Sequence, residues 1–168
     1  IDGADPAGLS LVQVSSVSDG SSMTFDNVAP TLTAVSIASS NAAAELASPD
    51  DTITLTFTAS EAIDPPTCVF TNGSNAVTNA GSVVVTDTSS EAGTDWTCTV
   101  SLVSGDTAGA VGFTIDGADL AGNALVQVSS VSDGSAMVFD NVPPTLTEVL
   151  IASNNLSPNG AGSGDTIT

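Results

Sequence analysis

No lysine, arginine or histidine occurs anywhere in the 168 residues, against 19 aspartates and glutamates, for a formal charge of −19. Without side-chain cations the chain has no ion pairs between side chains, no arginine clamp for phosphate and no basic groove for nucleic acid. It also lacks a histidine for acid–base work or zinc, and a lysine for a Schiff base. Tyrosine is absent and tryptophan occurs once, so aromatic platforms for sugars are missing. No run of about 18 apolar residues exists, which excludes a membrane-spanning helix and membrane insertion by this segment. The chain opens on Ile1-Asp2-Gly3, with no basic stretch leading into an apolar one, so no signal peptide is visible. What is present is a hydrophobic fraction of 41% and a mean hydropathy of +0.32, too apolar for a disordered acidic tail.

The strongest pattern is internal. Residues 1–54 align without a gap to residues 115–168, a constant offset of 114, and about 37 of the 54 positions are identical. A period of that size is a domain, not a solenoid repeat. It divides the chain into the C-terminal part of one unit (1–27), a complete unit (28–141) and the N-terminal part of another (142–168). The expectation is a window from a longer tandem array, with neighbouring units of the same chain as its first partners.

Within a unit, alternation of apolar and small polar residues marks strands. Thr52-Ile53-Thr54-Leu55-Thr56-Phe57-Thr58 puts Ile53, Leu55 and Phe57 on one face and threonines on the other. Trp96, Cys98, Val100 and Leu102 alternate likewise, as do Val111, Phe113 and Ile115, Val35 and Ile37, and Val126 and Val128. The expected strands are 32–38, 51–59, 67–72, 82–87, 95–103, 110–116 and 124–130, with a further short one at Met137-Val138-Phe139. No segment has a sustained 3.6-residue period, and Ala42–Leu46 is expected to be a loop. An all-β chain with about seven strands per unit points to a two-sheet sandwich of immunoglobulin type.

Three stretches carry a resemblance. TFTASEAI after an alternating strand, FTIDGADLAGN near the end of the unit and FDNVPPTLTEVLIASNN at the junction are similar to the bacterial immunoglobulin-like repeats of giant surface and secreted adhesins. The resemblance covers the whole chain and implies an extracellular sandwich serving as stalk or spacer, with calcium at domain junctions. The family usually lacks cysteine, whereas this unit holds Cys68 and Cys98.

Cys68 shares a face with Phe70, and Cys98 shares one with Trp96 and Val100, so both point into the expected core. An even pair in one domain of a secreted protein favours a disulfide. Two buried free thiols are the alternative.

The carboxylates are the second candidate. Asp26 and Asn27 enter the complete unit, Glu61 follows its second strand, and Asp116 and Asp119 flank the turn after its sixth strand. In a sandwich of this strand order all five gather at one end. Asp, Glu and Asn oxygens are what Ca²⁺ takes, in sets of six to eight. Asp140 and Asn141 would serve the following unit in the same way. Against this stands the plainer account of Asp119-Leu120-Ala121-Gly122-Asn123 as a turn held by an Asx hydrogen bond.

Other signals are slight. Asn72-Gly73-Ser74 and Asn155-Leu156-Ser157 are glycosylation sequons that arise easily in a chain rich in Ser and Asn. Paired carboxylates can hydrolyse glycosides, yet the single Trp faces inward, and no enzyme is expected. The function expected is a structural extracellular repeat protein: a stalk or fibre with an adhesion or spacer role at the cell surface or secreted. The junction Val142-Pro143-Pro144 leaves few soft dihedrals between units. Two alternatives are the subunit of a self-assembled filament, a homopolymer, and a repeated module binding a glycan or mineral surface.

Overall fold

A computed structural model of the chain describes residues 6–9, 17–73, 75–77, 82–91, 93–155 and 160–168. Among the described residues nine strands run in order: β1 (Leu32–Ser39), β2 (Leu46–Ala47), β3 (Thr52–Ala59), β4 (Thr67–Asn72), β5 (Asn75–Ala76), β6 (Val84–Asp87), β7 (Asp95–Ser101), β8 (Gly109–Asp116) and β9 (Val138–Phe139). They form a four-stranded sheet, β1-β3-β7-β6, and a five-stranded sheet, β2-β9-β8-β4-β5. All pairings are antiparallel except β2 with β9. Among the described residues there is no α-helix, and so none long and apolar enough to cross a membrane.

The threonine-alternating run is the centre of the first sheet. β-branched Thr and Ile suit the pleat, and the period of two sends Ile53, Leu55 and Phe57 into the interior. There they stand beside Val100, Cys98 and Trp96 of β7 in register. Phe70 of β4 faces Phe113 of β8 across the second sheet. With Phe139, Leu102 and Ile115 these side chains form one buried core between the sheets, each contributing roughly 1.5–3 kcal/mol by leaving water. The architecture is a β-sandwich.

Two expectations need correction. Residues 124–130 are not a strand: only single bridges pair Ala124 with Ala118 and Val128 with Ile115. The parity also differs, for Leu125 is buried and Val126 is 80% exposed. The tight turn at 119–123 is the cause. Its closure draws the Leu125 N–H onto the Gly117 carbonyl at 2.9 Å. The chain then leaves β8 and crosses to the other sheet, where Ser132 and Ser135 meet β1. The second correction is Ala42–Leu46, whose end is the short strand β2, with Ala47 buried against β9.

Candidate functional site

The end of the sandwich where the chain enters is built around Asp119. Its Oδ1 accepts the N–H groups of Ala121 at 2.9 Å and Asn123 at 2.8 Å, and its Oδ2 accepts the Asn123 side-chain amide at 2.7 Å. The main chain closes the same turn, Gly122 N–H to Asp119 carbonyl at 3.1 Å, with Gly122 at φ 93°, where a side chain would be strained. The Asn123 amide, with the backbone N–H groups behind it, holds the buried Asp119 carboxyl below its ordinary range against the opposing effect of desolvation. Asp119 therefore organises the turn, as the plainer account had it.

Two other carboxylates come to it. Asp119 bridges to Ile63, which carries the loop after β3, and with it the half-buried Glu61. The incoming chain is tied alongside by Thr31 N–H to Ser60 Oγ at 3.0 Å and Ser60 N–H to Thr31 carbonyl at 2.8 Å. The Asn123 amide also reaches the Asp26 carbonyl at 3.4 Å. Carboxylate oxygens of Asp26, Glu61 and Asp119 consequently lie within 4.8 Å of one another. They line an open groove of about 400 Å³ together with Thr24, Ala62, Leu120 and Ala121.

The remaining expected ligands stand elsewhere. Asp116 points away from the core, and both its oxygens accept the Gln127 amide, at 3.1 and 2.9 Å. Asn27 is exposed and does not line the groove. Asp140 and Asn141 are at the exit end. Asp140 Oδ1 accepts the Val142 N–H at 2.9 Å. The Asn141 amide donates to the carbonyls of Ser104 at 3.1 Å and Asp106 at 2.9 Å, fastening the outgoing chain to its own unit.

Cys68 and Cys98 are bonded, with 6.4 Å between their Cα atoms. Both are buried, and the bond ties β4 to β7, one strand from each sheet. An immunoglobulin bridge joins the second and sixth strands. Here it joins β4 and β7. Trp96, two residues from Cys98, donates its Nε1 proton to the Gly93 carbonyl at 3.1 Å.

In the folded chain the Asn72 side chain of the first sequon is buried, and its amide donates to the Thr107 carbonyl at 2.7 Å. The Asn155 amide donates to Asp165 at 2.8 Å. Ser74, Leu156 and Ser157 lie outside the described residues.

Sequence reasoning missed the other carboxylate hubs. Asp51 accepts from the Asn41 amide at 2.9 Å, the Ser48 N–H at 2.7 Å and the Ser48 and Ser40 hydroxyls at 2.8 and 3.3 Å. These bonds, the Asn41 amide foremost, lower its pKa to about 2. Asp87 accepts from the N–H of Ser89 at 2.9 Å and of Gly93 at 2.8 Å, and from the Ser89 hydroxyl. A signal was there to find. Asp19, Asp87 and Asp133 each precede a serine by two residues and accept its N–H, the Asx turn of a D-x-S triplet. In a chain without cations, backbone amides and hydroxyls serve as the counter-groups of the carboxylates.

Comparison with protein-family models, with curated proteins and with solved structures finds no match.

Proposed function

We propose that the chain is a stretch of tandem immunoglobulin-like sandwiches with a structural, extracellular role, a stalk or fibre that spaces or attaches a cell surface, without catalysis. In favour of this reading, the sheet β1-β3-β7-β6 and the middle β9-β8-β4 of the five-stranded sheet, with the short β2 and β5 added at its edges, resemble the four-plus-three arrangement of that fold. The observation that carries the proposal is recurrence at the offset of 114. Ser39 pairs with Ile53, and Ser153 pairs with Ile167. The Asn41 amide meets Asp51 at 2.9 Å, and the Asn155 amide meets Asp165 at 2.8 Å. The turn in which Asp26 Oδ1 accepts the Val28 N–H at 2.9 Å returns at Asp140 and Val142, also at 2.9 Å. A segment that rebuilds the same hydrogen bonds one period later is suited to extension and not to a unique active site. The disulfide fits an oxidising compartment.

Calcium held by Asp26, Glu61 and Asp119 is the cofactor proposal. In its favour are three convergent carboxylates and the absence of any side-chain cation to neutralise them. Asp26 comes from the incoming chain and the other two from the unit itself, so an ion there would stiffen the junction.

The test is electron microscopy of the chain lengthened by two further units, paired with antibody labelling of intact cells. A beaded rod that grows by a constant step, with labelling of unpermeabilised cells, is the expected result. A compact globule, or labelling only after permeabilisation, would overturn the proposal. Assemblies of many chains would favour the filament alternative.

A further inference from the structure

The two outer strands of the four-stranded sheet are treated differently. In β1, pairing with β3 leaves the backbone N–H and C=O groups of the buried Val35 and Ile37 at the open edge, and a segment from 97 residues further along the chain caps them. The Val35 N–H donates to Ser132 Oγ at 2.9 Å, the Ile37 N–H donates to Ser135 Oγ at 3.0 Å, and the Val35 carbonyl accepts the Ser132 N–H at 2.9 Å. At the opposite side, β6 pairs Val84, Val85, Thr86 and Asp87 with Thr99, Cys98, Thr97 and Trp96. The Thr88 N–H donates to the Asp95 carbonyl at 2.8 Å, which fixes the alternation: Thr88, Thr86 and Val84 bond inward to β7. The N–H and C=O of Val85 and Asp87 face outward and meet no backbone partner among the described residues. Val84 is 57% exposed, and the strand has neither Pro nor Lys, the usual protections of an open edge.

Charge singles out the same side. The disulfide places β7 opposite β4, so their outer neighbours β6 and β5 lie on one flank of the sandwich. Residues 65–86, which contain β4, β5 and all of β6 but Asp87, are the longest stretch of the chain without a charged side chain. On a molecule of −19, this flank is where two like molecules approach without bringing their carboxylates together.

The geometry points to β6 as a docking edge for a second copy of this chain. The two β6 strands pair antiparallel about a two-fold axis and join two four-stranded sheets into one of eight. The outward N–H and C=O of Val85 supply the new hydrogen bonds, and Val84 meets its neighbour on the outer face. The acidic remainder of both molecules opposes the contact, so salt strengthens it by screening over roughly a Debye length, about 8 Å at physiological ionic strength.

Sedimentation equilibrium of the 168-residue chain from micromolar to millimolar concentration, at low salt and in molar NaCl, tests this. A monomer–dimer equilibrium tightened by salt is expected. Val84→Asp should weaken it by at least about tenfold through like charges placed face to face across the two-fold axis. Val85→Pro, which removes an outward donor and no β7 bond, should abolish it. Hydrogen exchange separates edge pairing from other association. The Val85 amide should gain protection with concentration, while the Thr86 amide, bonded to β7, should be protected throughout. A chain monomeric under all conditions, a dimer unaffected by Val84→Asp, or protection that does not rise at Val85 would each overturn the proposal.

Discussion

Met23 and Met137 occupy the same position of the repeat, 114 residues apart, yet Met23 is 97% exposed and Met137 is 2% exposed. Phe25 and Phe139 repeat the contrast at 85% and 0%. In the complete unit Met137 and Phe139 are covered because β9 lies between β2 and β8. Met23 and Phe25 lie in no strand among the described residues. Sequence sets the apolar face, and neighbouring strands decide whether it is buried.

Methionine oxidation reads this out. Mild peroxide should convert Met23 to the sulfoxide at least about ten times faster than Met137, since exposure governs the reaction. In a chain lengthened N-terminally by one unit, Met23 should slow to the rate of Met137. Site-resolved mass spectrometry checks both rates, and an unchanged Met23 in the longer chain would contradict the repeat account.

The bond between Cys68 and Cys98 closes a loop of sequence separation 30. In the chain-entropy account it stabilises the unit by roughly 3–4 kcal/mol. A double Cys→Ala variant should therefore melt roughly 10 °C or more below the parent, at 4–8 °C per kcal/mol for a domain of this size. Differential scanning calorimetry measures it, and a thiol-reactive dye should find no free thiol in the folded parent.

Much of this architecture was legible in the residues. Period-two alternation located β3, β7 and β8 to within a residue or two, because each packs one face on the core and turns the other to water. The run 124–130 misled because Val126 and Val128 also alternate. What decides there is the 119–123 turn, which resets the parity so that Leu125 faces inward. The same rule, applied strictly, would have removed Asp116 from the carboxylate group, since Ile115 beside it faces inward and Asp116 must face out. Asp26, Glu61 and Asp119 could be brought together from strand order alone, because loops at one end of a sandwich are neighbours. That Ser132 and Ser135 cap β1 was not legible, since serine side chains carry no periodic signal.

Those caps can be removed singly. Ser132→Ala leaves the Val35 N–H without its acceptor, and Ser135→Ala does the same to Ile37. Each loss should cost roughly 1–3 kcal/mol, the penalty of a part-buried donor left unpaired. Urea unfolding measures it. The double variant should also associate through the newly opened β1 edge, visible as a rise in light scattering that neither single variant shows to the same extent.

Acid should act through the carboxylate hubs. Asp51 has a folded pKa of about 2, below the ordinary 3.8, and Asp19, Asp87, Asp119, Asp133 and Asp165 are lowered too. A group whose folded pKa is depressed contributes its stability in full above the unfolded value and loses it as pH falls toward the folded one. For Asp51 that window runs from about pH 4 to about pH 2. Relief of charge repulsion acts in the opposite direction over the same range, so the comparison must be with a variant. Asp51→Asn should lower the urea midpoint at pH 6, and the gap to the parent should close by about pH 2. A gap independent of pH would mean the charge of Asp51 is not what its partners hold.

Calcium should do what salt cannot. Monovalent ions screen the diffuse repulsion of a chain of −19, whereas a bound ion would neutralise Asp26, Glu61 and Asp119 at short range and join the incoming chain to the unit. Asp119 keeps lone pairs beyond the three N–H bonds it accepts, so ion and turn are compatible. Millimolar Ca²⁺ should stabilise the protein by about 2.7 kcal/mol at a hundredfold excess over the dissociation constant, and NaCl at equal ionic strength by clearly less. Glu61→Gln should remove the difference without disturbing the 119–123 turn, which Glu61 does not hold. Asp119→Asn is the poorer variant because it also weakens the turn. Glu45, exposed at the exit end and outside the carboxylate cluster, is a suitable control. Glu45→Gln should leave the calcium response intact. Thermal melts with Ca²⁺, with Mg²⁺ and with chelator make the measurement. Equal responses to CaCl₂ and NaCl, or a full calcium response in Glu61→Gln, would leave the three carboxylates as acidic surface, with Asp119 serving its turn alone.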